Sequence, residues 1–564
     1  MTTSRTAPSR SVRRTVIAAV WCAAGFGGSA SAEDPGRDPS LARYLPRIPP
    51  MEPEQAVRSF QIEEGFRIEL VASEPRLADP IDIAFDEDGR MYVAEMIDYP
   101  DPPPEDGPPS GRIRVLEDRD RDGSYESSEV FAETVRWPGG IAPWKGGIFV
   151  SAPPEILYLK DLDGDLRADL RKVVLTGFGT QAAENMLNNL EWGPDGKIYG
   201  TTSYNGGEVR PAESDDSEGI TLRNRDFRFD PVTFEVEPLS DTGDFGNTFD
   251  DWGNRFICNA GTWIVHSVLQ ETDLARNPYL TGARTTRSLA RGKEASEVYS
   301  ISPPDPWKVL RARFWEKWVD TTHDMRASRF PDRELAPRGF ITSAAGVTLY
   351  RGSVFPDGYH GNAFTGEPAG NIVRRMVLAQ DGVTFEARLG REGREFLASQ
   401  DNWFRPVNFA NGPDGCLYVV DMYREVIEDS SAIPDDIRRY LDMKSGIDRG
   451  RVYRIVPEGV ALPPIEPLGA ASTLDLVAAL EHPDSWRRET AQRLLLERAD
   501  PEAASSLKRI LTRSPSARAR VLALQALGRS GDLADQDLLV ALKDPDPRVR
   551  ETAVRSIREG SGSK

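Results

Sequence analysis

Among 564 residues there are only three cysteines and four histidines, and the chain is short of positive charge, with 70 lysines and arginines against 89 aspartates and glutamates. Past the N-terminus, no uncharged apolar run reaches the roughly 18 residues that a membrane span needs. Each shortage excludes something. Without CxxC or CxxCH spacing there is no basis for a disulfide framework, a cysteine zinc site or covalent haem. Cys258 and Cys416, far apart in sequence, read instead as small buried strand residues. A net charge of −19 speaks against nucleic acid and suits cations or neutral ligands. The four histidines offer little proton-transfer chemistry. His266 alternates in "GTWIVHSVL" like a strand residue, His360 falls in a turn and is expected in solvent, and His482 lies in a helical segment. His323, beside Asp324, is the candidate base.

The N-terminus does hold an apolar stretch. Arg5, Arg10, Arg13 and Arg14 precede "TVIAAVWCAAGFGG" and the small-residue ending Ala30-Ser31-Ala32, the anatomy of a cleaved signal, with an uncleaved anchor as the alternative. Losing residues 1–32 lowers the formal charge from −19 to −23 and leaves a chain without a transmembrane helix, periplasmic or extracellular in location. Residues 33–58, rich in Pro, Asp and Arg, read as a linker or loosely held arm.

From there a hairpin recurs six times: "IAFDEDGRMYVAE", "IAPWKGGIFVSA", "LEWGPDGKIYGTT", "TFDDWGNRFICNA", "FPDGYHGNAFTGEP" and "FANGPDGCLYVVD". Their turn glycines, Gly89, Gly147, Gly196, Gly253, Gly361 and Gly415, lie 58, 49, 57, 108 and 54 residues apart. A β-rich unit repeating at this spacing is the signature of propeller blades, so residues 59–457 are expected to form an all-β six-bladed propeller. The long interval leaves room for a degenerate seventh blade, but "DPWKVLRARFWEKWVD" within it reads as a helical insertion. Ring closure needs a first strand that completes the last blade, and "FRIELVA" and "GRVYRIVP" are the expected partners. After a linker at 458–471 the texture becomes helical. Segments starting at Leu480, Leu511 and Leu542 repeat at 31 residues, which predicts a small all-α HEAT-repeat domain over 472–560. Such an array offers a surface for a protein partner.

Two acidic loops carry metal-binding spacing. In "DRDRDGSYESSE", Asp118, Asp120, Asp122, Ser124, Glu126 and Glu129 fall at positions 1, 3, 5, 7, 9 and 12 of a calcium loop, with Gly123 at the bend. In "DLDGDLRAD", Asp161, Asp163, Asp165 and Asp169 take the first, third, fifth and ninth positions, without glycine at the sixth. Calcium is the expected cofactor, bracing loops that leave blade strands.

The start of each inner strand of a propeller faces one mouth of the central channel. Stepping back from the turns selects Asp79, Arg136, Asn188, Asn189, Asn247, Thr342, Arg405 and Asn408 as polar groups from separate blades that would converge on a small-molecule ligand. Arg405, a planar cation among aromatics in "NWFRPVNF", suits a carboxylate or quinone oxygen. Individually, each of these residues could equally cap its own strand.

Several long motifs, "SAAGVTLYRGSVFPDGYHGNAFTGEPAGNIVRRMVL", "FGNTFDDWGNRF", "WFRPVNFANGPDGCLYVVDMYREVIE" and "DRGRVYRI", closely resemble the PVC-type membrane-bound dehydrogenase-like propellers, which are similar to the soluble glucose/sorbosone dehydrogenases. The resemblance covers roughly residues 60–457 and implies an extracytoplasmic six-bladed propeller, often followed by HEAT repeats and a haem module. It further implies pyrroloquinoline quinone held by arginines, an asparagine and calcium, with a histidine base acting on a sugar. Here Asn185 stands where relatives place that histidine. Thr242 and Gly243 replace an arginine-asparagine pair, and of two arginines before the last turn only Arg405 remains, with Trp403 at the other position. The expected function is therefore a dehydrogenase-like protein that binds or oxidises a carbohydrate at the channel mouth. The alternative is a non-catalytic scaffold that binds glycan or protein through its propeller and HEAT surfaces; no catalytic residue is assigned.

Overall fold

A computed structural model describes residues 39–103, 107–120, 123–214, 219–277, 279, 282–322 and 339–558. The signal-like segment, Asp122, His323 and Asp324 lie outside the described residues.

Six antiparallel sheets form the six blades. Each begins with an inner strand: Pro80–Phe85, Ile141–Trp144, Asn188–Trp192, Asn247–Phe249, Ala345–Leu349 and Pro406–Asn411. Each of these returns through its turn to a second strand, which is almost wholly buried because it packs against neighbouring blades on both faces (Met91–Glu95, Gly147–Ala152, Leu417–Asp421). That double burial explains why these strands read as continuous apolar runs rather than alternating ones. The ring closes as expected. Strand Phe66–Ser73 pairs antiparallel with Arg451–Pro457, from Phe66 opposite Pro457 to Ser73 opposite Arg451, so blade six is built from both ends of the propeller. No sheet corresponds to a seventh blade among the described residues; the long interval contains helix Pro306–Thr322.

Cys258 and Cys416 are buried, as small blade residues. His266 is also buried, stacked on Phe256 and 3.0 Å from the Thr384 hydroxyl, a structural position that burial holds down at a pKa of about 4. The segment expected to be a loose arm is docked from residue 45 onward. Leu45 joins a core with Trp307 and Ile437, Trp403 donates to the Ile48 carbonyl, and the Tyr423 hydroxyl bonds both backbone groups of Met51. Its prolines limit regular structure to the short helices Pro39–Ala42 and Pro53–Val57, and the rest is held by side-chain and carbonyl anchoring.

The C-terminal region is three helix pairs: Thr473–Ala479 with Ser485–Arg498, Glu502–Arg513 with Ala517–Ser530, and Asp535–Ala541 with Pro547–Arg558. The 31-residue segments visible in sequence correspond to the second helix of each pair. Ala499 and Gly531, at φ 47° and 77°, end two of these helices in left-handed caps. The array packs on the turn side of the propeller, where Leu476, Leu494 and Leu527 share one core with Phe85, Met91, Tyr418 and Val456. His360 is not in solvent as expected: its Nε2 lies 2.7 Å from Asp251 and 3.0 Å from Arg518 of the helical array, a contact that no local turn pattern encodes.

Candidate functional site

At the strand-start mouth, β-bulges at Pro80/Asp82, Asn188/Glu191 and Pro406/Asn408 turn polar side chains along the ring. Most of the residues selected from sequence act there as stitches between blades. Asn408 donates to Asp82 Oδ1 (2.7 Å), while Asp82 Oδ2 takes the Ile141 N–H of the next blade (2.9 Å). Asn188 donates to the carbonyls of Met186 and Asp244 and accepts from Thr201. Asn247 accepts from Arg255 Nε (2.7 Å) and reaches the Asn189 carbonyl (3.4 Å). Asn189 itself adopts φ 47° and donates its N–H to Gly139. Thr342 donates N–H and hydroxyl to Glu367 Oε1.

Two residues are more deeply committed. Asp79 and Arg424, 345 residues apart and both without exposed surface, form a bidentate pair at 2.6 and 2.5 Å. Burial pushes Asp79 up to about 6 despite Arg424. Arg405 is likewise fully buried, and every one of its N–H groups is taken: Nε by the Arg424 carbonyl, Nη1 by Pro368 and Asp305, Nη2 by Glu425 and Asp305. Asp305 comes from the stretch that leads into the inserted helix. Arg136, by contrast, is exposed and lies over the Trp137 ring at 5.0 Å.

The groups left partly open to solvent are different ones. The short 3₁₀ turn Ala183–Asn185 presents Glu184 and Asn185. Ser203 Oγ sits 2.7 Å from both Asn185 Oδ1 and Asp244 Oδ1, linking the two, and next to Ser203 stands Tyr204, 69% exposed. The Asp244 charge raises the Tyr204 phenol above its ordinary pKa. Glu184 accepts from the Tyr99 hydroxyl (2.8 Å); burial, then the neighbouring Glu428, push it up to about 8, so it holds its proton at neutral pH. Glu428 is held in turn by Arg311 at 3.0 Å, and beside it burial lowers the ammonium of Lys308 below the ordinary lysine value.

On the outer rim, carboxylate oxygens of Asp118, Asp120 and Glu126 gather within 4.8 Å of one another, and so do those of Asp161, Asp163 and Asp169. Asp118 Oδ2 accepts the Gly123 N–H, and Asp161 accepts from Asp163, Gly164 and Leu166. Glu129 instead lies in strand Ser127–Ala132, 3.9 Å from Arg167, and Asp165 accepts the Arg167 N–H. Ser124 lies in the same loop, outside these carboxylate groups.

Residues 52–459 match a family described as a domain of unknown function (DUF7133). The chain belongs to the DUF7133 family. Residues 473–558 match HEAT repeats, and no curated protein matches the chain. Among solved structures, the chain is similar to a putative oxidoreductase (glucose dehydrogenase) from Thermus thermophilus at 16% identity and TM-score 0.39, covering 70% of this chain and 100% of that one. It is also similar to the quinone domain of pyranose dehydrogenase from Coprinopsis cinerea (13%, TM-score 0.38, 70% and 97% covered). A third is the quinone-bound aldose sugar dehydrogenase from Streptomyces coelicolor (12%, TM-score 0.35, 70% and 100%).

The residues of this DUF7133 propeller do not fit a quinone. Arg405 has no free N–H, Trp403 spends its indole N–H on Ile48, and Asn185 carries an amide that accepts no proton near neutral pH. The partly open Glu184 and Tyr204, and the buried Asp244 near Tyr204, were missed by stepping back from the turns, because they lie on loops rather than on the inner strands. Glu184 does stand beside Asn185 in "ENMLNNL", and the unusual placement of a carboxylate in the inner strands "PIDIAF" and "NNLEW" marks Asp82 and Glu191.

Proposed function

We propose that this chain is an exported carbohydrate-binding propeller whose strand-start mouth takes a polyhydroxylated ligand without oxidising it. The observation that carries this reading is Tyr204, a 69% exposed aromatic beside Asp244 and the linked Asn185 amide. An open ring face covers the apolar C–H side of a sugar, while carboxylates and amides take its vicinal hydroxyls in pairs. Glu184, protonated at neutral pH, adds a hydrogen-bond donor to a rim otherwise rich in acceptors. The missing base and the fully engaged Arg405 favour binding over oxidation. In the same reading calcium braces the two acidic loops through Asp118, Asp120, Asp122, Glu126 and Asp161, Asp163, Asp169. The alternative of a protein-binding scaffold draws on Leu539, Val554 and Ile557, apolar residues 51, 58 and 49% exposed on the last helix pair.

Calorimetry of the calcium-loaded chain against a panel of neutral mono- and oligosaccharides tests the proposal, with a quinone titration and dye-reduction assay run alongside. Saccharide binding that Tyr204→Ala weakens by about tenfold, without dye reduction, is the expected result. Absence of binding across the panel refutes carbohydrate recognition, and quinone-dependent reduction refutes the non-oxidative reading.

A further inference from the structure

Helix Ser485–Arg498 of the HEAT array meets the hairpins of five different blades. Arg493 pairs with Glu87 at 2.9 Å in blade one, and Glu497 takes a hydrogen bond from the Lys145 backbone in blade two. Gln492 donates to the Pro194 carbonyl in blade three (3.4 Å), Arg488 pairs with Asp251 in blade four (2.6 Å), and Glu489 pairs with Arg351 in blade five. A single straight rod that touches hairpins around a ring has to cross the ring's axis. A small cavity of about 40 Å³ lies between the two, lined by Trp192, Phe249, Gln492 and Leu496 among others.

The fit is set by both partners. Gly89 and Gly196, at φ 84° and 73°, make the hairpin turns, and they also leave no side chain where the array and the linker into it approach. A Cβ on Gly196 would stand 2.9 Å from Leu496 of the array, and one on Gly89 2.8 Å from Ile465 of the linker. Asp251 is the centre of the contact: Arg488, Arg518, Arg351 and His360 approach its carboxylate at 2.6, 3.1, 3.6 and 2.7 Å. Burial works against its ionisation, yet His360 and the arginines hold it far below the usual aspartate range.

We propose that the HEAT array is an intramolecular stopper: its docking partner is the propeller's own turn face, latched on Asp251, and it closes that end of the central channel. The array is therefore not a free recruiting arm, and any further protein must bind the side turned away from the propeller. This holds whether or not a sugar binds at the opposite mouth.

Hydrogen exchange on the full chain tests the stopper. In wild type, the hairpins around 86–90, 193–197 and 250–254 should exchange at least about tenfold more slowly than the exposed loop 161–169, and Asp251→Asn should release the hairpins and helix 485–498 together by a similar factor. Strand 417–421 should stay protected. Wild-type hairpins exchanging as fast as the loop would overturn the proposal, as would an Asp251→Asn chain with unchanged hairpins and helix. Should Asp251→Asn also expose strand 417–421, Arg518→Glu at the rim of the contact carries the same two expectations.

Discussion

Replacing Glu191 by glutamine should make the protein less sensitive to alkaline pH. Glu191 lies on the inner strand Asn188–Trp192 of blade three, and its carboxyl has no hydrogen bond or ion pair among the described residues. Burial first, then the charge of Glu489 on the stopper helix, push it up to about 8 from an ordinary 4.5, with Arg351 opposing and Asp82 adding to the rise. A carboxyl raised in the folded state contributes stability that is present below about pH 4.5 and is lost as pH climbs through about 8. Between those limits each pH unit costs about 1.4 kcal/mol, so moving from about pH 6 to 9 removes about 2–3 kcal/mol at full effect. Residual solvent at this half-buried side chain screens that to about 1–2 kcal/mol. Glutamine keeps the shape and removes the titration. The advantage of Glu191→Gln over wild type, measured by paired urea or thermal unfolding, should thus widen by that amount between pH 6 and 9. Other buried carboxyls with raised values that do not act on Glu191, such as Asp226 at about 7 and Asp421 at about 8, affect both chains equally and cancel in the difference. Parallel pH profiles for the two chains would show that Glu191 is solvated, and that the channel beneath the helical array is wet.

Calcium at about 100 times its dissociation constant should stabilise the propeller by about 2.7 kcal/mol per occupied loop, and Asp120→Asn or Asp161→Asn should lower the melting temperature in calcium but hardly at all in chelator. Equal melting of variant and wild type in calcium would refute the braced loop. Arg405→Met should cost about 3–5 kcal/mol in unfolding experiments, because it strands the buried Asp305 carboxylate. Arg136→Met, on an exposed side chain, should stay within about 0.5 kcal/mol of wild type. Similar losses from both would contradict the buried role of Arg405.

The architecture was legible in local sequence patterns. Turn glycines at near-regular spacing, apolar second strands and a 31-residue helical repeat are local records of which surfaces must be buried, and the six blades and three helix pairs follow from them. The closing partnership of "FRIELVA" with "GRVYRIVP" was legible too, since an open ring would leave two sheet edges unpaired. The fate of individual polar residues was not legible. Arg405 and Arg136 are both arginines near the start of an inner strand, yet one is consumed by Asp305 and three carbonyls while the other lies in solvent. His360 sits in an ordinary polar turn, yet its ring is half-buried between Asp251 of the neighbouring blade and Arg518 of a helix more than a hundred residues later. Whether a charge is free to meet a ligand depends on partners distant in the chain, Arg424 for Asp79 or Arg488 for Asp251. Local periodicity carries no information about such pairs; they exist only once the ring has closed and the helical array has crossed its axis.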